Sequence, residues 1–298
     1  MPKDNLSDLF RVKPHTRVRL RDWNPAWAST KEMRSLGTEQ LRQEANEIIR
    51  RNLARLAHAQ ELLWASDRYA LLVVLQGMDA SGKDGLVKHV MSGINPQGCQ
   101  VFSFKQPSQE EVEHDFLWRY AKSLPARGRI GIFNRSHYEE VLVVRVHPEF
   151  LDRQKLPSKR GRSLWQRRFE DINQFEKHLK RNGTVILKFF LHVSKKEQKR
   201  RLLERLDNPE KQWKFSEADL AERACWDDYI EAYQDALSAT STKHAPWHII
   251  PADHKWVARS LVSEILADTI RRLDLEFPQL TKEQCATLVK ARKRLEQE

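Results

Sequence analysis

Residues 77 to 84 read Gly-Met-Asp-Ala-Ser-Gly-Lys-Asp, and the spacing G-x-x-x-x-G-K can cradle phosphate. Glycines let the backbone turn tightly and aim N–H groups at an anion. A helix starting there adds the positive end of its dipole. Gly77, Ala80, Ser81, Gly82, Lys83 and Asp84 are therefore candidate phosphate-binding positions, with Lys83 a point charge for the transferring end. A hydroxyl residue that ligates Mg²⁺ commonly follows the lysine. Here Asp84 stands there, and Asp79 adds a second carboxylate inside the loop. Carboxylates hold Mg²⁺ well but repel bare polyanions. Such a loop makes sense with a metal ion and many further cations around it.

Two more stretches carry polar residues at the ends of apolar runs. Ile130 to Phe133 leads into Asn134-Arg135-Ser136-His137-Tyr138-Glu139-Glu140, and Val101 to Phe104 leads into Lys105. The C-terminal ends of parallel strands form the crevice where α/β folds bind ligands. A nucleoside triphosphate hydrolase would usually place Asp where Asn134 stands. Residues 152–214 hold 19 Lys or Arg against 8 Asp or Glu. That density suits a long phosphate chain threaded along a basic groove. Lys188 interrupts an apolar run, so it points into a charged crevice or sits at an edge facing water.

Elements to position these groups follow from the apolar pattern. Leu71 to Leu75 is an unbroken apolar run, as a strand buried on both faces requires. Further strands are expected at 101–104, 130–133, 184–193 and 247–251. Helices are expected from Ser29 or Thr30 to about Ala65, from Lys83 to Ser92, from Ser108 (with Glu111 completing a capping box) to Leu124, up to Arg181, after Ser194, after Ser216 and from Lys255 to Leu273. Strands alternating with helices imply an α/β fold: a three-layer α/β/α P-loop kinase-like sandwich with a five-stranded parallel sheet and a helical lid. The whole chain, 1–298, reads as one such domain. Residues 1–66 form an N-terminal arm and long helix; the basic arm at 11–24 lies on the body or is a solvated tail. Residues 148–168 and 207–220 are lid segments, and 281–298 is a charged tail. Arg160, Arg162 and Arg168 belong to the lid, as does Trp213, unless Trp213 staples a loop to the core.

The composition narrows the class of partner. The 298 residues carry a formal charge of +11, are 31% charged and 40% hydrophobic, and have a pI near 9.6. A globular chain this basic suits a polyanion: nucleic acid, a membrane surface or a phosphate polymer. Cys99, Cys225 and Cys285 form no disulfide framework or zinc pattern, which points to a reducing compartment. The N-terminus has no apolar leader and no run spans a bilayer, so a cytoplasmic protein is expected, away from the membrane.

GMDASGKDG, SFKQPS, FNRSHYEEVLVVRV, LHVSKKEQKRRL, NPEKQWKFSEADL and APWHIIPADHKW together resemble the polyphosphate kinase 2 family, from about residue 10 to 277. The closest subgroup has Asn before the Arg-Ser of the third strand and acts on both AMP and ADP. The resemblance implies transfer of the terminal phosphoryl of inorganic polyphosphate to AMP or ADP, reversibly and with Mg²⁺, for which Mn²⁺ could substitute. It implies adenine or guanine nucleotides as partners, no nucleic acid, and a homo-oligomer, dimer or tetramer. By position, Asp79, Lys83, Arg135 and Glu139 are the catalytic set. Asp79 and Glu139 are metal ligands, and the nucleotide meets Asp79, Asn134, Arg135 and Glu139. The phosphate chain meets Lys105, Lys188, Arg201, Arg205 and Lys214. The alternatives are an ATP-dependent nucleoside monophosphate kinase, with the same fold and another donor, and a non-enzymatic P-loop protein that binds RNA.

Overall fold

A computed structural model of the chain describes residues 6–27, 38–157 and 162–298. Five strands build one parallel sheet: β1 (Ala70–Gln76), β2 (Cys99–Ser103), β3 (Ile130–Asn134), β4 (Thr184–His192) and β5 (Trp247–Pro251), in the order β2-β3-β1-β4-β5. β1 is central and buried along its whole length, which is why its sequence is apolar without alternation. Its neighbours pair in register, Leu75 opposite Asn134 on one side and Phe189 on the other. The ends of β1, β3 and β4 therefore lie side by side, where the order of the sheet reverses.

Among the described residues the eight longer helices are α1 (Thr38–Ser66), α2 (Lys83–Val90), α3 (Arg162–Arg181), α4 (Lys195–Asp207), α5 (Glu217–Ala224), α6 (Trp226–Thr240), α7 (Lys255–Arg271) and α8 (Lys282–Leu295). α1, α2 and α7 pack together on one face of the sheet, and α3 and α6 on the other. This is the expected three-layer α/β/α fold. One hydrophobic cluster joins both layers, and Val144, Leu151 and Leu164 form a small satellite beside it.

Two expectations change. The helix expected from Ser108 to Leu124 is two short turns, Gln109–Val112 and Trp118–Ala121. The Ser108–Glu111 capping box does form. Asp115 then ends the first turn, its carboxylate accepting from the Leu117 amide at 2.9 Å and its carbonyl from that of Trp118 at 3.1 Å. The stretch after Ser216 is also two helices, α5 and α6, broken at Cys225.

The N-terminal arm lies on the body. Arg11 bridges antiparallel to His248 on β5, the Val12 amide donates to the Trp247 carbonyl, and the Ile249 amide to the Phe10 carbonyl, both at 2.8 Å. Phe10, Val12, Val18 and Leu20 are buried beneath it. Arg160 lies outside the described residues, as does the expected start of the long helix at Ser29 or Thr30. The tail is helical: a Thr281–Gln284 capping box starts α8, which is exposed throughout. Among the described residues no helix is long and apolar enough to cross a membrane.

Candidate active site

The loop between β1 and α2 turns through backbone conformations that its glycines allow. Gly77 has φ 155° and Gly82 φ 105°. A Cβ on Gly77 would stand 2.8 Å from the Ser81 hydroxyl and 2.9 Å from the Leu191 carbonyl, so no larger residue fits. Ala80 is left-handed as well, at φ 59°.

The loop's carbonyls are held from behind. Gln198 donates to the Asp79 carbonyl at 2.9 Å, and Arg201 to those of Ala80 and Ser81 at 3.0 and 2.8 Å. Arg201 also reaches the carbonyls of Ala252 and Asp253, and Glu197 holds its Nε at 2.8 Å. Lys83 turns inward, donating to the carbonyls of Gly77 at 2.6 Å and Met78 at 3.2 Å. Burial is the first cause of its lowered pKa and Arg135 the second, opposed by Asp79, Glu139 and Asp84.

Arg135 faces the loop from the end of β3. Its backbone is left-handed at φ 63°, and its amide donates to the Leu75 carbonyl at 3.1 Å. The guanidinium lies 2.9 Å from the Asp79 carboxylate and 3.9 Å from that of Glu139. Burial raises the Glu139 pKa, against the pull of Arg135 and Lys83. Asn134 donates to Asp84 at 2.7 Å and to the Ser103 hydroxyl at 3.4 Å. The structure thus brings Asp79, Lys83, Asp84, Asn134, Arg135 and Glu139 around one loop.

Other expected site residues lie elsewhere or act differently. Lys188 is fully buried, donating to Glu176 at 2.6 Å, Tyr138 at 2.9 Å and the Thr240 carbonyl at 2.7 Å. It therefore faces neither the phosphate path nor water. The charge in the apolar strand is answered by Glu176, twelve residues away on α3. Arg168 is not a lid cation either; it is buried, bonded to the Glu140 carbonyl at 2.6 Å and carboxylate at 3.2 Å, and to Gln154. Arg201 does not line the path: its guanidinium is committed to the loop's outer side. Arg205 stands at the last turn of α4, 2.8 Å from Asp219 on α5. Lys105 is exposed just past β2, its carbonyl accepting from Arg119 at 3.0 Å. Arg162 begins α3. Trp213 is 77% exposed, which removes the reading of it as a core staple, and the Lys214 ammonium lies 4.8 Å from its ring centre.

Three further residues belong to the site: Gln198, Tyr233 and Asp219. Gln198 shapes the loop beside Arg201, but a glutamine on a basic helix reads like any solvated position. The buried Tyr233 hydroxyl meets the Gly77 backbone, and nothing marks that tyrosine in the sequence. Asp219 lies within the fields of Asp79, Arg135 and Lys83; burial, then Asp79, raises its pKa.

Metal binding can be tested against these groups. Among the described residues no three His, Cys, Asp or Glu side chains stand together as a metal cage. Mg²⁺ does not need one, since it takes one or two carboxylates and completes its shell with water and substrate phosphates. Among the described residues the buried oxygens Ser81 Oγ and Asn134 Oδ1 find no hydrogen-bond partner. Hard oxygen donors with spare capacity around a phosphate loop fit such an ion.

A strand–loop–helix phosphate cradle at the switch point of a parallel sheet, faced by an arginine and two acids, defines a P-loop phosphotransferase. Residues 39–278 match the family described as Polyphosphate kinase 2, and the chain belongs to that family. It is 53% identical over 252 residues to the "ADP-polyphosphate phosphotransferase" of Rhodopseudomonas palustris, covering 84% of this chain and 87% of that one. It is 46% identical over 270 residues to the "AMP/ADP-polyphosphate phosphotransferase" of Meiothermus ruber, covering 91% and 95%. The crystal structure of polyphosphate kinase 2 from Arthrobacter aurescens superposes with a TM-score of 0.83 at 40% identity, covering 95% and 96%.

Proposed function

We propose that this chain is a polyphosphate-dependent nucleotide kinase that transfers the terminal phosphoryl of inorganic polyphosphate in line to AMP and ADP. The observation that carries the reading is the Arg135 guanidinium, placed between Asp79 and Glu139 and facing the Lys83 loop. A planar guanidinium there can bridge donor and acceptor phosphates and stabilise the charge that develops between them. The relatives' names favour polyphosphate as donor over a second nucleotide, and nothing in them favours an RNA-binding role.

The acceptor oxygen is already anionic near neutral pH, so positioning and charge neutralisation do most of the catalysis. The acceptor oxygen forms a bond to the terminal phosphorus as the bridging P–O bond breaks, and the shortened chain leaves as an anion. Lys83 and the loop amides hold the transferring group; Arg205 and Lys214 line the path of the chain. Asp79 and Glu139 are the side chains that would hold Mg²⁺, or Mn²⁺ in its place. The bound ion would neutralise phosphate charge and orient the donor. Direct transfer needs no phosphoenzyme. His137 is fully buried and His192 nearly so, which keeps either imidazole from a donor.

Purified protein incubated with polyphosphate, Mg²⁺ and AMP is expected to form ADP and then ATP, resolved by chromatography over time. Unchanged nucleotides in that mixture would overturn the proposal, and product formed only with added ATP as donor would favour the nucleoside monophosphate kinase.

A further inference from the structure

The turn after β3 faces two ways. Arg135 and Glu139, four residues apart, face the loop. His137 and Tyr138, between them, are wholly buried. The Tyr138 hydroxyl donates to Glu176 at 2.8 Å and accepts from Lys188 at 2.9 Å. Lys188 spends its other donors on Glu176 and on the Thr240 carbonyl. His137 Nε2 lies 3.3 Å from the same Glu176 oxygen that Tyr138 bonds. Trp247 stands edge-on to the Tyr138 ring at 4.7 Å and donates to the Thr240 hydroxyl at 2.9 Å. Side chains from α3, β4, α6 and β5 thus converge beneath one turn.

A second anchor lies beside the first. Glu140 is held by Arg168 through its carbonyl and its carboxylate. Arg168 and Glu176 sit eight residues apart on α3, with the fully buried Ile172 midway between them. That spacing sets all three on one helix face, so α3 grips the turn at two points.

A core that only had to be filled would not need an ion pair. Buried pairs are costly to desolvate, and apolar replacements often serve stability as well. The turn has particular needs, however. Arg135 is left-handed, and the 3₁₀ helix His137–Val141 runs five residues, longer than such helices usually do. Strained backbone of this kind persists where its surroundings over-determine it.

We propose that Tyr138, Glu176 and Lys188 are positioning residues that hold Arg135 and Glu139 in register with the phosphate loop during transfer. This rests on the phosphotransfer reading above. A misplacement of about 1 Å can cost a reaction two orders of magnitude in rate. Binding of a long polyanion draws on many cations at once and tolerates such a shift. The signature of positioning is therefore a lower kcat at nearly constant KM.

Tyr138→Phe keeps the ring and removes only the hydroxyl that ties the turn to Glu176 and Lys188. The neutral double variant Glu176→Gln with Lys188→Met removes the pair without leaving one buried charge unanswered. Full-length wild type and both variants would be compared by unfolding midpoint, by kcat, and by KM for polyphosphate and for AMP. Tyr138→Phe is expected to lower kcat by about tenfold, with KM within about twofold, and to lower the unfolding midpoint while leaving the protein folded at the assay temperature. The double variant is expected to lower kcat further. Wild-type kcat in the folded variants, or a raised KM at unchanged kcat, would overturn the proposal; should one variant fail to fold, the other decides. A wild type that forms no ADP or ATP would instead overturn the phosphotransfer reading, so the two failures stay distinct.

Discussion

The Asn134 side-chain amide donates to the Asp84 carboxylate at 2.7 Å, tying the end of β3 to the first turn of α2. An aspartate at 134 would set two carboxylates against each other. Asn134→Asp is expected to lose about 1–3 kcal/mol of stability at neutral pH. The repulsion raises the pair's folded pKa, so the loss fades as pH falls through that value and one carboxyl takes up a proton. Turnover with AMP and with ADP should both drop, since the acceptor's terminal phosphate then approaches an added negative charge. Urea unfolding at neutral and acid pH, with paired nucleotide assays, checks both effects.

Arg201 binds four carbonyls and one carboxylate, a geometry that a lysine ammonium cannot reproduce. Arg201→Lys is expected to cost about 2–4 kcal/mol of stability, because several buried acceptors lose their donor. Activity should fall with it, since the loop amides are aimed by the carbonyls behind them. Chemical unfolding and steady-state kinetics on the same preparation test this. A full-strength enzyme of normal stability would show the clamp to be dispensable.

Burial, with Arg135 behind it, holds the Lys83 ammonium below its ordinary pKa of 10.5. A lysine disfavoured in its charged form weakens folding at pH values below its folded pKa, and that cost is relieved as pH rises toward the unfolded value. The charge that binds phosphate is lost over the same interval. The alkaline limb of kcat/KM for the free enzyme is therefore expected below pH 10.5, without a matching drop in the unfolding midpoint. Lys83→Ala should lower turnover by about a thousandfold in both directions. A pH–rate profile of wild type and an assay of the variant are the measurements.

Trp213 and Lys214 lie exposed beyond the Arg205–Asp219 pair. Their replacement by alanine should change stability by no more than about 0.5 kcal/mol. If the polymer runs along this segment, KM for long polyphosphate rises in both variants and its dependence on salt weakens in Lys214→Ala, as one phosphate contact is lost. KM for AMP should hold. Kinetics over a series of salt concentrations and chain lengths separate these effects.

Much of the fold could be read from local pattern. β1 is an unbroken apolar run and β4 one interrupted by Lys188, as strands buried on both faces read, and the glycine spacing after β1 marks the loop. The site was legible where its residues are neighbours in sequence, as in Asp79 to Asp84 and Asn134 to Glu139. What escaped were partnerships across elements. A lysine in an apolar strand signals a cost, but only the fold reveals that Glu176 answers it. Arg168 and Arg201 look like members of a basic surface until Glu140 and the loop carbonyls are seen to consume their donors. The broken helix before Leu124 turned on a single aspartate competing for backbone amides, a contest that hydrophobic periodicity does not register.

The arm ending near Asn24 has a practical consequence. It is stitched to the outer flank of β5 by main-chain bonds, and it roofs the neighbouring oily trench with Phe10, Val12, Val18 and Leu20. A truncated form beginning after that point would lay bare an unpaired strand and an adjacent sticky furrow at the same time. Such a product should clump at concentrations where the intact chain stays clear, a difference that light scattering would register before any loss of enzyme chemistry.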